Sequence, residues 1–209
     1  DIDFKGESII VRSTDPTDPA VVSTTVIDCQ QQGRAFNFHS GKGPSSMLAG
    51  LTITNGSAKD GCGICIRNSS PTISDCTITQ NSSTHTSTFG GSLYIRDSTA
   101  VITRCIISGN SVRYNGGGIF CYNSSPKIVS CIIKGNMVPS EGAGICCWNN
   151  TEAIIDNCAI MGNEVTFRRG GGIACRDSKL VMTNCTVANN SAYHDGGGGL
   201  WIVASDATI

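Results

Sequence analysis

Charge is scarce in this chain of 209 residues. Only 15% are Asp, Glu, Lys or Arg, and 15 basic residues face 16 acidic ones for a net charge of -1. Without a basic excess there is no electrostatic footprint for a phosphate backbone, so a nucleic-acid partner is not expected. No apolar run approaches the roughly 18 residues that a membrane-spanning helix needs, so no membrane span is expected. Histidine is limited to His39, His85 and His194, which are scattered, and no CxxC pairs with a second CxxC. Neither pattern supplies a metal-ligand set, and no metal site is expected. The opening residues also lack the charged-then-apolar pattern of a secretion signal, and Asp1 points to a processed or excised segment.

Glycine, serine, threonine and asparagine fill much of the rest, with 25 glycines and 12 cysteines. Low charge with abundant Gly and Ser would suit a disordered chain, but regularly placed Ile, Val and Cys can build a core. The regularity is a repeat. Five segments align: SPTISDCTITQN ending at Asn81, TAVITRCIISGN at Asn110, SPKIVSCIIKGN at Asn136, EAIIDNCAIMGN at Asn163 and KLVMTNCTVANN at Asn190. Their terminal asparagines lie 29, 26, 27 and 27 residues apart. A second set precedes them: GCGICIRNS, GGSLYIRDS, GGGIFCYNS, GAGICCWNN and GGGIACRDS, with a sixth start at GGGLWIVAS.

Self-similarity at a fixed period marks a solenoid. Alternation such as Ile64-Cys65-Ile66 has the period of a strand, and Ile, Val and Thr prefer strands. A unit of about 27 residues cannot bury its own apolar face, so it must stack on the next, roughly 4.8 Å away. Five inward columns follow. They are Ile64/Leu93/Ile119/Ile145/Ile173/Leu200, Ile66/Ile95/Cys121/Cys147/Cys175/Ile202, Ile73/Ile102/Ile128/Ile155/Met182, Cys76/Cys105/Cys131/Cys158/Cys185 and Ile78/Ile107/Ile133/Ile160/Val187. The expected fold is all-β: a single-stranded right-handed parallel β-helix of about eight rungs, each roughly 27 residues. One domain spans 1–209, with 1–47 as atypical N-terminal rungs or a cap and 48–209 as regular repeats. STDPTDPAVVST reads as a rim loop, and the chain stops mid-rung at Ile209. An uncapped solenoid end leaves backbone groups unpaired, so self-association or a neighbouring domain is an expected partner.

The Gly-rich corners supply positive φ or close packing. The recurring asparagines read as a structural ladder that uses the left-handed region and bonds its own backbone. The cysteine column reads as packed thiols, since free Cys behaves as a small hydrophobe. Rung spacing would permit disulfides, but parallel Cβ vectors suit the dihedral poorly. The lone CGIC at Cys62 to Cys65 reads as a local disulfide or as an accident of the repeat.

These repeats resemble the pectin-lyase-like right-handed β-helix proteins, and among them the bacterial group with polymorphic-outer-membrane-like repeats. The resemblance runs from Leu48 to Ile209. It implies the fold and an extracellular or bacterial cell-surface location. It does not fix an activity, because such proteins include lyases, hydrolases, epimerases, adhesins and passive scaffolds.

Candidate chemistry lies on the outward columns. After each Gly corner come Arg67, Arg96, Tyr122, Trp148 and Arg176, and two residues earlier Cys65, Tyr94, Phe120, Cys146 and Ala174. Tyr94, Phe120, Tyr122 and Trp148 are expected to form one exposed aromatic patch. Arg96 and Arg176 flank it, beside a polar column containing Asp97 and Asp177. Rings offer flat apolar area and carboxylates accept from hydroxyls, so a polysaccharide or other glycan is the expected ligand. No paired acid motif accompanies it. Asp97 and Asp177 stand three rungs apart, about 14 Å, too far for glycoside hydrolysis. Asp60 and Asp195 read as solvated loop residues. The loops before the Gly corners are short, which disfavours an enzyme cleft.

The leading expectation is a noncatalytic module with a structural or glycan-adhesive role and no cofactor. The alternative is a carbohydrate-active enzyme such as a calcium-dependent polysaccharide lyase, using Arg96 or Arg176 with calcium on a neighbouring Asp. An ice-binding face would need repeated Thr, and Thr79, Ser108, Lys134, Met161 and Ala188 break it.

Overall fold

The computed structural model describes all residues except Gly6, Lys42, Pro44, 86–88 and 194–195. The chain winds into a parallel β-helix. Its strands form two eight-stranded sheets, one seven-stranded sheet and one five-stranded sheet, each built from successive turns. One turn illustrates the order: Ile119–Tyr122 on sheet I, Lys127–Val129 on sheet II, Ile132–Lys134 on sheet III and Met137–Val138 on sheet IV.

The register is the one the repeat implies. Leu93 pairs Ile64 and Ile119, Ile102 pairs Ile73 and Ile128, and Ile107 pairs Ile78 and Ile133. The columns continue N-terminally through Phe36 and Phe38, Leu48 and Ile53. The inner residues form one continuous core. Each buried Ile contributes on the order of 1.5–3 kcal/mol, and the stack makes the core as long as the helix.

The corner between sheets II and III shows why cysteine recurs. The residue before it takes positive φ: Asp75 (54°), Arg104 (51°), Ser130 (54°), Asn157 (52°) and Asn184 (54°). The chain turns on that single residue, and the next side chain enters a narrow vertex that suits a small apolar group. Each thiol then donates to the carbonyl two residues back, from Cys76 to Ser74 at 3.2 Å and from Cys105 to Thr103 at 3.3 Å. All twelve cysteines are free thiols. Cys62 and Cys65 point into different apolar clusters, so the CGIC motif forms no local disulfide.

The asparagine ladder exists, but its geometry differs from the expectation. The left-handed residue is the one before each ladder position, Gln80, Gly109, Gly135, Gly162 and Asn189. The buried asparagine then points its amide along the stack rather than only at its own backbone. Two features of the linking segments also differ. STDPTDPAVVST contains a short helix, Pro19–Thr24, capped by the Asp18 side chain on the Ala20 N–H. The short loops before the Gly corners carry sheet IV, whose inner Val112, Val138 and Val165 pack with Cys62 and Ala143.

Candidate aromatic site

Sheet I positions the aromatic residues. Its register stacks Cys65, Tyr94, Phe120, Cys146, Ala174 and Trp201 in one outer column, and Arg67, Arg96, Tyr122, Trp148, Arg176 and Val203 in the next. The rings meet as sheet geometry requires. Tyr94 and Phe120 stack at 5.7 Å with planes 9° apart, and Trp148 meets Phe120 edge-on at 5.7 Å.

The first outer column is not exposed. Tyr94 is 4% and Phe120 1% accessible. The chain before each strand folds back over sheet I as its own hydrogen-bonded ladder, bridging Phe89 to Asn115, Asn115 to Glu141 and Glu141 to Arg169. Glycine permits this approach. A Cβ on Gly116 (φ +66°) would lie 2.7 Å from the Phe120 Cβ. The expected four-ring exposed patch is therefore corrected: Tyr94 and Phe120 are its floor, while Tyr122 and Trp148 are half-buried. Burial, and then the nearby Asp60 carboxylate, raise the Tyr94 phenol above its ordinary pKa.

Phe89, Tyr94, Arg96, Phe120, Tyr122 and Trp148 line a pocket of about 300 Å³. Phe89 is 40% exposed and closes one side, 5.7 Å from Phe120 and 6.1 Å from Trp148. It stands alone in its column, whose other members are Asp60, Asn115, Glu141 and Arg169, so no apolar repeat reveals it. Its place directly before Gly90-Gly91 is the signal that could have found it. A groove of about 400 Å³ on sheet II, between Val101, Lys127, Ile154 and Val181, is larger but has no ring.

Guanidinium groups lie on the rings. Arg67 sits over Tyr94 at 5.1 Å, Arg96 over Tyr122 at 5.3 Å and Arg176 over Trp148 at 5.6 Å. Each also has an acidic partner: Asp60 for Arg67 (2.6 Å), Asp97 for Arg96 (3.1 Å) and Asp177 for Arg176 (3.4 Å). All eight sequence-predicted site residues thus lie on the outer side of sheet I, with Tyr94 and Phe120 beneath the cover and the other six along its accessible strip. Asp60 is not a solvated loop residue. It is largely buried, pairs Arg67 and accepts from the Phe89 N–H at 3.1 Å. His194 and Asp195 lie outside the described residues.

Two residues of the covering ladder carry an unexpected feature. Asn115 and Glu141 are 3% and 5% exposed, yet Asn115 Oδ1 and Glu141 Oε2 are buried without a hydrogen-bond partner. The Trp148 Nε1 donor is also buried and unpaired.

A calcium set fits this strip poorly. Asp97 already takes Asn123 Nδ2 on one oxygen (2.6 Å) and Arg96 Nε on the other. Among the described residues no group of three or more His, Cys, Asp or Glu is placed to hold a metal ion.

Residues 40–209 match the family model described as the right-handed beta helix region. The chain belongs to the right-handed β-helix family. No curated protein and no solved structure matches it significantly. Membership establishes a solenoid of this hand and supports, in general terms only, a structural or surface module. No helix among the described residues is long and apolar enough to cross a membrane.

Proposed function

We propose that this β-helix is a noncatalytic module, extracellular or on a bacterial cell surface, that binds an extended glycan along the outer face of sheet I. The observation that carries this reading is the pocket formed by Phe89, Arg96, Tyr122 and Trp148 over the Tyr94–Phe120 floor. A sugar ring can lie on such apolar faces while its hydroxyls reach the polar edge. The even spacing of rungs places successive side chains at regular intervals along an extended ligand. Each stacked arginine touches both a ring and a carboxylate, which favours one arrangement of the strip before a ligand arrives and so lowers the entropic cost of binding.

A polysaccharide array that includes acidic and amine-bearing polymers, read with and without calcium, tests the reading. Retention of one glycan class without unsaturated products supports it. Release of unsaturated products that depends on Arg96 or Arg176 overturns it in favour of a lyase. Absence of binding across the array also overturns it and leaves a scaffold.

A further inference from the structure

Every aromatic ring that stands exposed among the described residues lies on one rim of the helix. Phe89, Tyr114, Phe167 and Tyr193 are 40, 38, 65 and 79% exposed, and the other aromatic side chains are buried or half-buried. Each of the four sits in a segment that leads from sheet IV to a Gly corner, after Ser82–Ser83, Ser111–Val112, Glu164–Val165 and Ser191–Ala192. The segment after Met137–Val138 presents Pro139 and Ser140 at that place. Rings left in water forgo the stabilisation of burial, so their confinement to one edge marks a surface that something covers.

The backbone beneath these rings is hydrogen-bonded from rung to rung. Ser140 N–H donates to the Tyr114 carbonyl at 3.1 Å, Phe167 N–H to that of Pro139 at 2.9 Å and Tyr193 N–H to that of Val165 at 3.2 Å. The rings are thus carried on a ladder, and from Phe89 to Tyr193 the rim crosses four rung steps, about 19 Å. It begins at the aromatic pocket. Phe89 closes one side of that pocket and also stacks on Tyr114, at 6.2 Å with planes 30° apart. An aromatic path therefore leads out of the pocket onto the rim.

What lies among the rings decides the chemistry of the occupant. Beyond the Phe89–Tyr114 pair the rings stand singly. Apart from Met137, the exposed side chains interspersed with them are polar: Ser111, Arg113, Glu164, Arg168, Arg169 and Ser191. A protein partner would need a contiguous apolar core. Single flat rings among hydroxyl, guanidinium and carboxylate groups match a polymer whose units each have an apolar face edged with hydroxyls, which is a chain of sugars.

We infer that this rim is a second run of sugar subsites, and that a long glycan seated in the aromatic pocket continues over Phe89 and Tyr114 to Phe167 and Tyr193. This rests on the glycan-binding reading above and specifies where the longer chain runs.

Titration calorimetry with the disaccharide and the hexasaccharide of cellulose, of chitin and of pectate tests it. The wild-type chain is expected to bind the hexasaccharide of one series at least about 10-fold tighter than its disaccharide, the scale of two added ring contacts. Phe167→Ala combined with Tyr193→Ala removes only exposed rings and leaves the fold in place, which circular dichroism checks. The double substitution should erase the hexasaccharide's advantage while leaving the disaccharide within about twofold.

An advantage that survives the double substitution, or none in the wild-type chain, overturns the rim and leaves the pocket reading intact. A disaccharide weakened as much as the hexasaccharide by the double substitution also overturns the rim. Absence of binding by every oligomer overturns both.

Discussion

Asn136 Oδ1 accepts twice from Asn110, from its backbone N–H at 3.1 Å and from its Nδ2 at 2.9 Å. The same Asn136 donates its own Nδ2 to Asn163 Oδ1 and to the Ile107 carbonyl. Each rung thus satisfies the buried polar groups of its neighbour, and the amides form a continuous wire along the stack. Asn136→Ala strands a buried N–H and an amide of Asn110, at a cost of about 2–4 kcal/mol. The denaturant midpoint should fall at constant slope. A shift below about 0.5 kcal/mol would show that the ladder is incidental.

Glycines at the two kinds of corner should respond differently. Gly135 has φ +60° and open space around it, so Gly135→Ala should cost only the left-handed strain, about 1–2 kcal/mol. Gly116 has φ +66°, and its added Cβ would meet Phe120 and the Ile119 carbonyl at 2.7 and 2.8 Å. Gly116→Ala should therefore cost about 3 kcal/mol or more, and should loosen the cover over Phe120. Thermal melts of the pair, with near-ultraviolet circular dichroism, measure this. Equal losses would contradict the packed cover.

The thiols should be chemically quiet. Only Cys29 and Cys185 are partly exposed; the other ten are buried. Rapid labelling of the native protein by an aromatic disulfide reagent should stay at or below those two, and reach all twelve only after denaturation. Fast modification of further cysteines in the native state would contradict the packed columns.

The same burial makes stability fall with alkalinity. Burial first, and then neighbouring Cys147, push the Cys175 thiol from 9.0 up to about 11. A folded-state value raised above the unfolded one gives stability that is fully present below pH 9 and lost as pH rises through about 11. Burial raises Cys146 in the same direction. Under reducing conditions the denaturant midpoint should decline between pH 9 and 11, with a shallower slope in Cys175→Ala. A flat profile over that window would contradict the assigned burial.

The columns were legible because a solenoid writes each contact into its period. Ile73, Ile102 and Ile128 align in sequence for the same reason that they stack in space. What the period does not encode is how the linking segments lie. Tyr94 and Phe120 alternate outward just as Arg96 and Tyr122 do, and strand alternation says nothing of the glycine-hinged ladder that covers only the first pair. Phe89 escaped because its column mates are Asp60, Asn115, Glu141 and Arg169, with no shared character. The helix Pro19–Thr24 was signalled by Asp18-Pro19, a cap and first-turn proline, inside a segment otherwise rich in turn residues. Sheet IV escaped because its strands are two residues long, below the length at which alternation can be seen.

The most direct measurement is calorimetric titration of the retained glycan into the wild-type chain and Trp148→Ala, with product analysis of the same samples. Binding without cleavage, weakened about 10-fold or more by Trp148→Ala, is the predicted result. Equal binding by the two proteins, or cleavage that disappears in Arg96→Ala, would contradict a noncatalytic aromatic binding strip on sheet I.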